Sequence, residues 1–268
     1  MIDSILSRAP VFLLVYVRCF AMLLTLPLFS MRSVSRIVKI ALAGYMAFFI
    51  FSTLDFSAYK DFYNPDGAFS IYYILVLAGE GLIGVVLGFY ITIIFGAFST
   101  AGQFTAFQMG FSAASTYDSL AQVENPLMGQ FFNFMAIYIF IQCQWFQRLF
   151  LGGLVTSFKS LNAFSVVTNN EHFVKFMLSG LTKLFADALV ISLPLMGTLL
   201  LISVCTGLLS KAAPQMNLLS EGFPIMILVS FYLIATLLPY MCDFFINSFV
   251  KGFGFLETLF TRISGGIK

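Results

Sequence analysis

Five ionisable residues stand inside or beside long apolar runs: Arg18, Glu80, Lys183, Asp187 and Asp243. A charge left facing lipid is costly, so each needs a partner or a wet surface. Lys183 and Asp187 are four residues apart, which places them on one helical face within pairing reach. Arg18 and Glu80 have no local partner and must pair with each other or with another subunit. A proton or ion path would offer a chain of carboxylates and histidines. Single, well-separated charges of both signs fit structural pairing inside a helix bundle better.

Two polar segments interrupt the apolar sequence. Residues 210–217 read SKAAPQMN between two hydrophobic runs. Pro214 removes a backbone donor and biases Ala213 away from helix. Gln215 and Asn217 can satisfy the groups a turn exposes. The segment therefore predicts a hairpin tip, with Lys211, Pro214, Gln215, Met216, Asn217 and Glu221 as candidate partner contacts. Residues 108–126 read QMGFSAASTYDSLAQVENP, a 19-residue stretch without a basic residue. Connections that long are often functional. Gly110 permits a backbone excursion, and Gln108, Met109 and Phe111 place bulk beside it. Ser112, Tyr117 and Asp118 continue a loop of the kind that could plug a pore.

No enzyme constellation is visible: there is no HExxH, GxSxG or Walker sequence. The sole histidine, His172, sits beside Glu171 in a polar stretch and reads as solvated. Cys19, Cys143, Cys205 and Cys242 lie apart inside apolar runs, without metal-ligand spacing. They read as small buried hydrophobes. Neither catalysis, nor a metal, nor a cofactor is expected.

The elements that must position these residues are set by composition. Of 268 residues, 60% are hydrophobic and 10% charged, against roughly 25% charged in soluble domains. So few charges cannot cover a water-facing surface. The chain reads as all-α: an integral membrane protein or a membrane-embedded assembly subunit, built of bent, Gly/Pro-broken helical hairpins. A net charge of +2, from scattered basic residues, gives no nucleic-acid signal. Phe occurs 34 times, on every segment, which fits compositional bias better than an aromatic-lined conduit.

Seven apolar stretches are legible, at about 10–30, 40–54, 68–86, 88–107, 127–145, 184–209 and 224–246. A spanning helix needs about 20 apolar residues, so 40–54 is short. The stretch 68–107 is about twice that length, and Gly79, Gly81, Gly84 and Gly88 make it a hairpin or one long helix with a small-residue face. Counting basic loops as cytoplasmic puts the N-terminus outside, 31–39 inside, 55–67 outside, and 146–175 and the tail inside. That count places 108–126 and 210–223 outside. It also requires a turn among the glycines at 79–88.

Three segments, in order, resemble the FliR family of flagellar biosynthetic proteins, membrane components of the flagellar type III export gate. The first is the run around Arg18 that ends in TLPLFS before a basic loop. The second is GEGLIGVVLGF (79–89), leading to GQF and QMGFSAASTYD (108–118). The third is GLLSKAAPQMN (207–217), followed by GFP (222–224). The likeness covers essentially the whole chain. Ser119 stands where the family often has proline, and Lys211 where arginine is common.

The resemblance implies a single domain, 1–268, with about 1–179 FliP-like, about 180–246 a FliQ-like hairpin and 247–268 a tail. It implies a ring with FliP-like and FliQ-like gate subunits, associated with FlhB-like and FlhA-like export components. Unfolded rod, hook and filament proteins would be the cargo. The place implied is the bacterial inner membrane, in the flagellar basal body. It also turns the tip at 210–223 toward the cytoplasmic entrance, against the charge count. The homologous injectisome subunit of virulence secretion systems is the near alternative. A secondary solute transporter is the alternative of another class, and it should carry an internal repeat that the two halves do not show convincingly.

Overall fold

The computed structural model describes residues 8–30, 34–54, 59, 70–110, 127–161, 163, 170–212 and 218–265. The predicted sites Phe111, Ser112, Tyr117, Asp118, Pro214, Gln215, Met216 and Asn217 lie outside them, as does the Glu221 side chain. Every long element among the described residues is helical. In chain order these are α1 (Ala9–Thr25), α2 (Pro27–Ser30), α3 (Arg36–Thr53), α4 (Ile71–Gln108), α5 (Leu127–Gln142) and α6 (Trp145–Arg148). A π-helical turn (Leu149–Leu154) follows, then α7 (Val155–Ser160), α8 (Asn170–Ala212) and α9 (Leu218–Gly265).

Among the described residues, four helices are long and apolar enough to cross a membrane: Arg36–Thr53, Ile71–Gln108, Glu171–Ala212 and Pro224–Thr261. The first exceeds its apolar stretch because Ser35 caps it early, its hydroxyl accepting from the Val38 amide at 3.4 Å. The glycines at 79–88 make no turn, since α4 runs 38 residues without interruption. The charge-counted topology therefore loses the turn it requires. Pro194, Pro224 and Pro239 likewise lie within continuous helices. The helices are bent or straight, but these residues do not break them. Apolar helices tolerate such residues when neighbouring groups re-satisfy the backbone. Residues 146–160, counted with the basic loop 146–175 in the charge-based topology, are helical throughout.

Many hydroxyls of these helices are turned onto their own backbone. Thr105 donates to Ala101 O at 2.9 Å, Ser192 to Ala188 O at 2.8 Å and Ser230 to Met226 O at 2.5 Å. Each such bond removes an unmet donor from an apolar surface.

The chain divides into two compact units. The first comprises Met1–Ile93, Gln144–Gly180 and Gly252–Lys268. In it α1 lies directly on the N-terminal part of α4. A Cβ on Gly84 would collide with the Arg18 carbonyl, and one on Gly88 would lie 2.6 Å from the Met22 carbonyl. The approach lets the Thr92 hydroxyl donate to Thr25 O at 2.5 Å. The small face at 79–88 is thus a packing device. Elsewhere in this unit Trp145 stacks on Phe253 at 4.9 Å, and Tyr90 donates to Gly252 O at 3.2 Å.

The second unit comprises Ile94–Cys143 and Leu181–Lys251. Its core is aromatic: Phe95, Phe98, Phe140, Phe245 and Phe249 are fully buried, with neighbouring ring centroids 4.1 to 5.5 Å apart. α8 and α9 run antiparallel here. Ser203 donates to the Met226 sulfur at 3.8 Å, and Ser248 to Asp187 at 2.7 Å, so residue numbers rise on one helix as they fall on the other.

Replacing Gly84 by Val should lower the melting temperature of the detergent-solubilised chain, reflecting an overpacking cost of about 1–3 kcal/mol or more. Gly197→Ala is the control, because a Cβ there meets nothing within 4 Å. It should leave the melting temperature unchanged or raised. Equal melting of both variants, followed by circular dichroism, would refute the close α1–α4 approach.

Candidate functional site

Arg18 and Glu80 meet in the first unit, 62 residues apart in sequence and both essentially inaccessible to water. α1 delivers Arg18 and α4 delivers Glu80. The glycine contacts bring the two backbones close enough for the side chains to join. Arg18 Nε donates to Glu80 Oε2 at 2.6 Å, and Nη2 lies against the same oxygen. Nη1 donates to Ser157 Oγ at 3.2 Å, and Nη2 also donates to Leu161 O at 3.0 Å. The guanidinium carbon lies 4.0 Å from the Phe158 ring centroid, so the plane of charge is covered by an aromatic face.

The other carboxylate oxygen is equally occupied. Tyr59 donates its hydroxyl to Glu80 Oε1, and the Ala163 amide donates to it at 3.1 Å. Burial first, and then the Glu80 carboxylate, push the Tyr59 phenol above its ordinary value. It remains a protonated donor. Gly79 makes room for Ala163, since a Cβ there would lie 2.7 Å from the alanine methyl. Ser157 is held in turn by donating to Leu154 O at 2.6 Å, at the end of the π-helical turn.

Four polar participants escape sequence reasoning: Tyr59, Ser157, the Leu161 carbonyl and the Ala163 amide. They lie 41 to 145 positions from Arg18, and no local spacing marks them. The weak signals are a tyrosine inside the polar stretch 55–67 and a serine one place before Phe158.

The remaining predicted charges differ. Lys183 and Asp187 are half-buried, and no ion pair within 4.0 Å joins them among the described residues. Asp187 instead accepts from Ser248, because α9 presents a hydroxyl closer than the lysine one turn away. Asp243 is exposed rather than buried. Met241 and Phe245 occupy the inward face of α9, and Asp243 falls on the other side by helical periodicity. Among the described residues the buried charges reduce to Arg18 and Glu80, with Lys39 nearly covered.

At the start of the predicted plug, Gln108 ends α4 and is half-buried, and Met109 is fully buried. Gly110 adopts φ 85°, a left-handed conformation that favours glycine and turns the chain out of the helix. A second close approach lies about two turns earlier: a Cβ on Gly102 would lie 2.7 Å from the Gly129 Cα of α5. Lys211 is exposed in the last turn of α8.

The model of the family described as bacterial export proteins, family 1, matches residues 9–252. The chain belongs to this family. Among its relatives, the flagellar biosynthetic protein FliR of Bacillus subtilis (strain 168) is 32% identical over 234 residues, 87% of either chain. FliR of Escherichia coli (strain K12) is 29% identical over 249 residues, covering 92% of this chain and 91% of that one. The surface presentation of antigens protein SpaR of Shigella sonnei is 29% identical over 159 residues, 58% of this chain and 59% of that one. Within the bacterial export proteins this is a FliR-type chain. The family match spans Arg18, Glu80, Lys183, Asp187 and Asp243 alike, so the buried pair is part of the family-matched fold.

Removing one partner of a buried pair strands the other. Arg18→Leu or Glu80→Leu should each destabilise the purified chain by about 3–5 kcal/mol, whereas the double change should recover part of that loss. Tyr59→Phe, which leaves Glu80 short of a donor, should cost about 1–3 kcal/mol. Denaturant unfolding in micelles measures all four. A double variant as weak as the sum of the singles would show that the two residues are not coupled.

Proposed function

We propose that this chain is a non-enzymatic subunit of the flagellar type III protein export gate, and that it helps form the channel through which unfolded rod, hook and filament proteins cross the inner membrane. The family supports the export role, and the span of the FliR likeness supports the flagellar branch. The observation that carries the assembly reading is the extent of uncovered apolar surface in the second unit. On α8, exposed apolar side chains run from Leu181 to Leu208, about 40 Å at 1.5 Å per residue. A hydrocarbon core is about 30 Å thick. Lipid alone does not cover such a face, and neighbouring protein would.

The neighbours in this reading are FliP-like and FliQ-like gate subunits, with FlhB-like and FlhA-like components alongside. Residues 1–179 play the FliP-like part, 180–246 the FliQ-like hairpin and 247–268 the tail. The antiparallel course of α8 and α9 supports the hairpin assignment. The injectisome role is the second reading, favoured by the likeness to SpaR over 58% of the chain. The flagellar one is preferred because its relatives cover more of the sequence. Restoring motility to a flagellated strain that lacks its own FliR tests the choice, and export only of virulence proteins would reverse it.

Residues 108–126 act as a plug in the closed channel, rooted at Met109 and Gly110. Deleting residues 110–118 should raise the ion permeability of the cells while the complex still assembles. Unchanged permeability with an intact complex would remove the plug role. The tip at 211–221 meets the FlhB-like component at the cytoplasmic entrance, with Lys211 supplying charge and Gln215 and Asn217 hydrogen bonds. Met216→Cys should crosslink to that neighbour and react with a thiol reagent from the cytoplasmic side. Labelling only from the periplasm would overturn this placement.

A further inference from the structure

The buried face of α3 begins with a charge. Ala43, Met46, Ala47 and Ile50 share that face by helical spacing, and Lys39 opens it, only 9% exposed. Arg36 and Lys39 are the only charged residues of α3. Among the described residues no carboxylate lies within 4.0 Å of Lys39, and no hydrogen bond takes its ammonium. Glu80 and Glu171, the acidic groups of ion pairs in this unit, are taken by Arg18 and Lys175. A lysine buries its stem along apolar surface and carries its head beyond it. A helical side chain also leans back over the turn before its own Cα. The head of Lys39 therefore reaches the first turn of α3.

That turn is rich in donors. Ser35 accepts from the Val38 amide at 3.4 Å and from the Lys39 amide at 3.3 Å. The Arg36 and Ile37 amides have no acceptor among the described residues. Arg36 stands exposed three residues before Lys39, on the same side of the helix. α3 runs antiparallel to α1, since Phe12 meets Phe51 and Gly44 adjoins Tyr16, so the end of α1 lies beside this turn. Acceptors there are committed. The Met22 carbonyl takes the Leu26 amide at 3.2 Å, Thr25 O takes the Thr92 hydroxyl, and Leu26 O takes the Phe29 and Ser30 amides at 3.0 and 2.8 Å. Two cations, two amides and the positive end of a helix dipole thus converge without an anion among the described residues. The rest of α3 says what supplies one. Its outer side chains Ile37, Ile40, Tyr45 and Phe48 are exposed and apolar. Its 18 residues rise about 27 Å, close to the hydrocarbon thickness of about 30 Å. Lipid can cover such a face from end to end, as it cannot cover α8, and the basic end then lies at headgroup level.

We propose that the start of α3 binds the phosphate of an anionic phospholipid. Lys39 and Arg36 supply the charge, and the first-turn amides supply hydrogen bonds. The acyl chains lie along the outer face that carries Ile40 and Phe48. The site requires only that the chain is embedded in a membrane, and it stands apart from the export-gate reading.

The test titrates the full chain, freed of lipid in a neutral detergent, with short-chain phosphatidylglycerol, short-chain phosphatidylcholine or inorganic phosphate, and follows the melting temperature. Phosphatidylglycerol should raise it at concentrations where the other two do not. Lys39→Met should weaken that response by about five-fold, and the further change Arg36→Gln by about twenty-five-fold in all. Lys39→Arg should keep it. Without lipid, Lys39→Met should melt no lower than the unaltered chain, because it removes a buried charge that has no partner. A lower melting temperature with the lipid response intact would give Lys39 a purely structural role and overturn the proposal. If Lys39→Met does not fold, Arg36→Gln alone carries the test through the same five-fold loss. An equal response to phosphatidylcholine would show apolar solvation only, and an equal response to phosphate would show a small-anion site. Either result overturns the lipid. So does carbodiimide coupling of Lys39 to a carboxylate of another protein in intact membranes, which would show that protein covers the site.

Discussion

An arginine and a glutamate removed from water cost several kcal/mol each unless geometry and hydrogen bonds repay them. In this chain the repayment draws on four separate stretches of sequence. α1 and α4 bring the charges, the segment around Tyr59 brings a phenol, and residues 157–163 bring a hydroxyl, a carbonyl, an amide and an aromatic face. None of these can move away without leaving a buried ion short of a partner. The glycines at 79, 84 and 88 belong to the same arrangement, because a side chain at any of them would separate the backbones that the ions join. Replacing such a pair with apolar residues is often neutral in stability. What the pair does fix is geometry: the ions are satisfied only when all four stretches are in place together.

Much of this was legible in the sequence, because hydropathy and residue type carry it. The all-α class follows from composition, the small-residue face from the spacing of glycines, and the importance of Arg18 and Glu80 from their isolation in apolar runs. What was not legible was long-range. The network's other members are single common residues far from either charge. The i, i+4 spacing of Lys183 and Asp187 suggested a pair, yet spacing along one helix carries no information about Ser248 on another, and the hydroxyl takes the carboxylate. Asp243 read as buried because its neighbours are apolar, but helical periodicity sends Met241 and Phe245 to one side and Asp243 to the other.

The misplaced turn in α4 has a related cause. Glycine weakens a helix in water by about 1 kcal/mol relative to alanine, so four of them within ten residues suggest a break. Against a closely packed neighbour that penalty is offset by the contacts which only a bare Cα permits, and the helix continues for 38 residues. Charge counting then fails in turn, since it assumes that each apolar run of sufficient length crosses once. Protein interior and lipid reward the same side chains. A helix of 48 residues, such as α9, reaches about 72 Å, far more than a bilayer needs. Length of apolar sequence therefore measures the surface to be covered and leaves open what covers it.

Phenylalanine shows how the two kinds of surface are distinguished. Phe48, Phe107, Phe134 and Phe185 stand uncovered, as a general bias toward this residue would produce. Phe95, Phe98, Phe140, Phe245 and Phe249 do not fit a general bias alone, because rings from three helices meet edge-on or tilted within van der Waals reach. Aromatic pairs of this geometry add about 0.5–1.5 kcal/mol each beyond the area they bury. A bulky ring locked on several neighbours also resists rotation of the helix that bears it. α9 carries two of these rings, at Phe245 and Phe249, on its inner face. With those fixed, the opposite side of the same two turns is fixed as well, and Asp243 and Asn247 are held at a set angle on the outside. An aromatic core thereby fixes which side of α9 is left uncovered.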